Sequence, residues 1–201
     1  MLYTPDLPPS GPTDLVPIDD LLTGGNPRTL HHVDKVVESV LSHPERLGEL
    51  IACVFDGDDE IVRMRAGDAL EKVCRAQPSL LQPHVPLLLG DMATIHQPSV
   101  QWHVAQMLGH VRLTAAQRLR AAELMDQDLE QSSDWIVLNC ALDTLAVLAR
   151  ADRAIVDDLR RLLRRHEHSR YTSLARRAAK LRIEFGPDPR PPTSTHGEGR
   201  T

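Results

Sequence analysis

Three histidines seven residues apart, His96, His103 and His110, are the first side chains in this chain whose type and spacing could do chemistry. Imidazoles sharing a helical face are common metal ligands, and His103 and His110 can share one. Pro98, however, separates His96 from that helix, and no carboxylate or Cys completes a set with metal-ligand spacing. A metal site is therefore not expected. His166-Glu167-His168 fits a solvated helix end. Cys53, Cys74 and Cys140 are odd in number and sit in apolar helical stretches, which favours buried reduced thiols and a cytoplasmic setting. There is no Gly-rich phosphate loop, zincin pattern or nucleophile elbow. No catalytic residue and no cofactor is expected.

Binding chemistry has more support. Arg160, Arg161, Arg164 and Arg165 stand on one helical segment at i, i+4 spacing and could track a phosphate backbone. From Arg150 to Arg182 there are 11 Lys and Arg against 4 Asp and Glu, a net of +7, which leaves the rest at −12 within a total of −5. The acidic remainder would repel a nucleic acid, and Asp157, Asp158 and neighbouring acids can neutralise the arginines instead. Trp102 is the other candidate. Exposed, it would be the kind of anchor that dominates an interface; buried, it would be packing between neighbouring helices. Trp135, in the first turn of its helix, is expected to pack.

These residues lie on helices that repeat. Asp58 to Val73 reads as an acidic cap, with Asp58 capping, and a helix whose buried stripe is Val62, Ala66, Ala69, Leu70 and Val73. Leu70, Leu108, Leu145 and Leu181 are 38, 37 and 36 residues apart. The slots of Val62, Ala66, Leu70 and Val73 return as Val100, Val104, Leu108 and Val111, then as Val137, Ala141, Leu145 and Leu148. The fourth copy keeps Ala178 and Leu181 but places Arg177 in the Ala66 slot, as an atypical terminal unit would. Such a period signals units that bury their apolar faces against neighbours. Few aromatics (3%) and an aliphatic, Ala- and Leu-rich interior suit stacked helices and not a β-sandwich. No run reaches the roughly 18 apolar residues that span a bilayer, and no secretory signal is expected.

Asp58 to Leu70 resembles the second helix of a HEAT repeat, with its Asp, Val-Arg and Ala…Leu slots filled. Val100 to Leu108 fits the same template with Gln101 in place of the Arg. The resemblance covers about residues 29–182, and the relatives it suggests are small bacterial HEAT-repeat proteins. It implies an all-α, α-α superhelix, a HEAT-like solenoid of about four to five helical pairs, whose second helices line a concave face. The exposed stripe there would bring Arg65, Asp68, Trp102, His103, Gln106, Asn139 and Asp143 to a partner. Arg65, His103 and Cys140 occupy one slot of the repeat; Asp68, Gln106 and Asp143 occupy another. The same residues could instead form bonds between repeats. HEAT-like DNA-alkylation glycosylases share only the general fold, and their catalytic Trp and Asp cleft has no counterpart here.

The expected organisation is a proline-rich arm over 1–25, with a short turn at Ile18 to Leu22, a repeat domain over 26–185 and a disordered tail over 186–201. Asn26 is expected to cap a helix starting at Pro27 and running from Arg28 to Leu41. Proline at 78, 83 and 86 predicts an irregular stretch and then a bent helix from Val85 to Ile95. Thr114 and Gln117 form a capping box, and Asp134 and Asp152 cap the next two helices. The expected function is a non-catalytic scaffold binding an unidentified protein partner. The alternative is nucleic-acid association through residues 150–182. A membrane is not expected.

Overall fold

The computed structural model describes residues 15–26, 28–55 and 59–186, all in helices and their connections, with no strand among them. The chain divides into two compact units, Met1–Leu80 and Leu81–Thr201.

The first unit begins with α1 (Ile18–Leu22), followed by α2 (Val33–Ser42), a 3-10 turn, α3 (Leu47–Phe55) and α4 (Glu60–Ala76). Helix α1 packs on α2, α3 and α4, and α4 packs on α2 and α3. Ile18 and Leu22 are fully buried, so this part of the expected arm is core. Polar bonds hold it there. Glu49 Oε1 accepts from Ile18 N–H (2.6 Å), and the Arg46 guanidinium bonds Glu49 Oε2 (2.9 Å), Ser39 Oγ (2.5 Å) and Val16 O (2.8 Å).

Two helix starts differ from expectation. Pro27 lies outside the described residues, and Asn26 caps no helix. Its Oδ1 accepts from Arg28 N–H in a tight turn, and α2 starts only at Val33. His31 has positive φ (48°), left-handed backbone that a helix from Arg28 could not contain. Asp58 also lies outside the described residues. The cap on α4 is Asp59, whose Oδ1 accepts from Ile61 N–H (2.8 Å) and Val62 N–H (3.4 Å).

A single turn, α5 (Pro78–Leu81), precedes the second unit's α6 (Val85–Leu89), α7 (Pro98–His110), α8 (Ala115–Gln131), α9 (Trp135–Ala151), α10 (Val156–His166) and α11 (Thr172–Phe185). The bent helix expected to Ile95 is shorter. It ends at Leu89, and after Gly90 the chain continues as a 3-10 turn over Asp91–Thr94. The Thr114 capping box forms in both directions, Gln117 N–H to Thr114 Oγ1 (3.3 Å) and Thr114 N–H to Gln117 Oε1 (3.0 Å). Asp134 caps α9, and Asp152 Oδ1 accepts from Ala154 N–H in the turn before α10. Helix α9 is central: it packs against α7, α8, α10 and α11. Thr144 Oγ1 donates to Ala105 O (2.7 Å), a buried bond that needs the α7 and α9 backbones close together.

Leu70, Leu108, Leu145 and Leu181 are all buried, as are Val62, Ala66, Val73, Val100, Val104, Val111, Val137, Ala141, Leu148 and Ala178. Arg177, in the anomalous slot, is exposed. Leu108→Ala should therefore cost about 2–5 kcal/mol in denaturant unfolding, because it empties a slot between close-packed helices. Ile183→Ala, at 86% exposure, should leave the transition unmoved.

Candidate functional site

Helices α7, α9 and α11 each place one stripe in the interior and one at the surface, and helical spacing decides which residue goes where. Arg65 lies three residues after Val62 and four before Ala69, so it falls on the inward stripe of α4. His103 lies three after Val100 and four before Met107 and does the same on α7. The exposure expected for both is corrected by this geometry. Arg65 is 0% exposed and His103 7%. Cys140, in the same repeat slot, is half-buried. The slot expected at the surface turns inward.

Arg65 has a structural task in the first unit. Its Nη1 donates to Leu22 O (2.5 Å) and Gly24 O (2.7 Å), Nη2 to Asn26 O (2.9 Å) and Nε to Thr29 O (3.1 Å). The fork of donors thus ties down the turn between α1 and α2. Asp68 is half-buried and paired with Lys72 (3.0 Å), which also reaches Asp34 (3.3 Å). Burial alone would lower the Lys72 pKa; its bonds to Asp68 and Asp34 outweigh that and raise it.

The other five expected residues belong to the second unit. His103 Nδ1 faces Gln106 Oε1 at 3.2 Å, and the Trp102 ring meets the His103 ring edge-on with centroids 5.5 Å apart. Trp102 and Gln106 are half-buried on α7. On α9, Asn139 Nδ2 donates to Trp135 O (2.7 Å) and Ser173 Oγ (3.1 Å), and Asp143 pairs with Arg177 (3.2 Å). Burial raises the Asp143 pKa against the opposing charges of Arg177, Arg150 and Lys180. The polar stripe of α9 is thus bonded to α11.

Sequence reasoning missed Trp135. Its side chain is 52% exposed, because the first helical position precedes the inward stripe that begins at Val137. It heads an open groove of about 560 Å³ lined by Trp135, Asn139, Ser173, Arg176, Arg177 and Lys180. The groove is braced at that end by Tyr171, whose hydroxyl donates to Ser133 O (2.5 Å). Arg177 is committed to Asp143, whereas Arg176 has no acidic partner among the described residues. The surface therefore offers an apolar ring beside unspent positive charge. The signal was in the sequence: Trp135 follows its Asp134 cap directly, and Arg176, Arg177 and Lys180 share helical neighbours.

Most of the basic segment is neutralised within its own unit. Arg150 grips Glu184 (2.6 and 3.0 Å), Arg160 bonds Asp157 and Phe185 O, and Arg161 reaches Asp158 and Asp126. Arg165 pairs with Glu130, and Arg182 with Glu167. The hydrogen bond from Arg150 holds the Glu184 carboxyl below its usual pKa. Burial pushes the Cys74 thiol up to about 11, so it is a packing residue and not a nucleophile. Among the described residues no His, Cys, Asp and Glu side chains gather as a metal site, and no helix is long and apolar enough to cross a membrane.

Comparison with protein-family models, curated proteins and solved structures found no match. Function is therefore argued from this geometry. Arg65→Met should lower stability by about 3 kcal/mol, because it strips donors from four carbonyls and a fully buried site. Asp68→Asn, losing a partly exposed pair, should cost under about 1 kcal/mol. Paired urea melts check both.

Proposed function

We propose that this chain is a non-catalytic scaffold, a HEAT-like solenoid that binds a protein partner on the surface formed by α7, α9 and α11. The observation that carries the reading is Trp135, half exposed at the head of a groove whose rim is Arg176, Arg177 and Lys180. An aromatic anchor with neighbouring cations fits an acidic segment that also carries an apolar side chain. The solenoid reading draws on the second unit, where α9 packs against α7 and α11 and the repeated slots are buried. The expected partner-binding set shifts accordingly: Arg65, Asp68 and His103 leave it, Trp102, Gln106, Asn139 and Asp143 stay in the proposal, and Trp135, Arg176 and Lys180 join it. A cytoplasmic setting belongs to the same proposal, since the free thiols Cys53, Cys74 and Cys140 persist under reducing conditions.

Nucleic-acid association has less support. Within residues 150–182, Arg150, Arg160, Arg161, Arg165 and Arg182 are paired with Glu184, Asp157, Asp158, Glu130 and Glu167.

The test follows tryptophan fluorescence of the full chain, with Trp102 kept because it belongs to the proposed surface. A peptide of alternating Glu and Leu should shift the emission and bind at about 150 mM salt, near physiological ionic strength. Trp135→Ala, followed with a labelled peptide, should weaken binding at least about 30-fold, which corresponds to about 2 kcal/mol. Lys180→Glu should weaken it too, with helical circular dichroism unchanged. Binding of single-stranded DNA with a steep salt slope, and none of the peptide, would favour the alternative.

A further inference from the structure

A second concavity in the same unit has a different chemistry. It lies where the turn before α7, the start of α7, the end of α8 and the α8–α9 connection meet, and encloses about 350 Å³. That is near the lower end of the roughly 300–1,000 Å³ found for small-molecule sites. Val104, Leu124 and Met125, all buried, give it an apolar floor. Asp128 stands in its wall and Asp134 at its edge. Among the described residues no Lys or Arg lines it, and His96 is the only lining side chain able to carry positive charge.

The two carboxylates are held differently. Asp134 Oδ1 is spent on the N–H groups of Ile136 and Val137 at the start of α9. Asp128 Oδ1 accepts from Gln101 Nε2 (3.2 Å), and its Oδ2 accepts nothing among the described residues. Burial pushes the Asp128 carboxyl up to about 6, against the Gln101 bond and the charge of His96, which both lower it. A half-desolvated carboxylate with a free oxygen, above an aliphatic floor, favours a ligand that brings a cation and an apolar body together. An anion would meet two acids there, and a neutral apolar molecule would leave the carboxylate unpaired.

We propose that this pocket binds a small organic ammonium, with the charged nitrogen on Asp128 Oδ2 and Gln101 holding the carboxylate in place, while the body packs on Val104, Leu124 and Met125. The site is separate from the α9–α11 groove and does not depend on the protein-binding reading.

The probe is cyclohexylammonium, with cyclohexanol as the neutral isostere and N-acetyl-lysine methylamide as the stand-in for a protein side chain. Calorimetry at pH 7.5 on the full chain should show cyclohexylammonium binding at least about tenfold tighter than cyclohexanol, a difference of about 1.4 kcal/mol. Asp128→Asn should remove that preference without weakening the alcohol. Carboxyl-carbon NMR should show the Asp128 pKa falling by about one pH unit or more when the amine saturates the site, and not with the alcohol. Equal affinity for amine and alcohol, or an Asp128→Asn protein that binds the amine as well as the parent, overturns the proposal. No binding at millimolar amine also overturns it, and tighter binding of the lysine derivative overturns its assignment to a small molecule. Circular dichroism of Asp128→Asn guards against a folding defect. Ala93→Phe, which fills the pocket from its half-exposed rim, should abolish amine binding by an independent route.

Discussion

A chain with two each of Trp, Tyr and Phe has few large side chains with which to fill an interior. Its helices must therefore come close, and small residues at the contacts make that possible. Ala66, Ala69, Ala105, Ala141, Ala146 and Ala178 are all essentially inaccessible, and helix axes with such contacts approach to about 8–10 Å. The buried bond from Thr144 to the Ala105 carbonyl is available only at that range. The leucines then pack into what remains. Close approach also governs the surface: with α9 bonded to α11 through Asn139–Ser173 and Asp143–Arg177, the groove between them is shaped before anything binds.

Much of this could be read from the residues alone. The recurring leucines, the Thr114–Gln117 box and the Asp134 and Asp152 caps each rest on local chemistry, a side chain meeting a backbone a few residues away. The boundaries that went astray have local causes too. Positive φ at His31 delayed α2, and a histidine does not announce it. Rotation about each helix axis is legible only from spacing, not from residue type. Apolar type alone places Arg65 and His103 outside, because both are polar or charged. The spacing, three after a buried valine, pointed inward in both cases.

Long-range partners were hidden for another reason. The Arg46 guanidinium reaches the Val16 carbonyl, and Arg160 the Phe185 carbonyl, across 30 and 25 residues. Acceptors of this kind are main-chain oxygens, which every residue carries and no sequence pattern marks. The same holds for Tyr171 on Ser133 O. The pocket at Asp128 combines four separate stretches of chain, none of them distinctive by itself.

Arg65 draws out a consequence of that chemistry. A guanidinium satisfied wholly by peptide oxygens senses the path of the chain from Leu22 to Thr29 and not the identity of the side chains along it. Substitution can therefore drift at Thr23 or Arg28, which point to solvent, while the single cation that reads the path stays fixed. The exceptions are where the path itself needs glycine: a β-carbon on Gly25 would come within 2.6 Å of the His31 ring. Lineages that carry this turn should show one invariant arginine facing a loop of shifting composition, a signature of shape inherited without spelling.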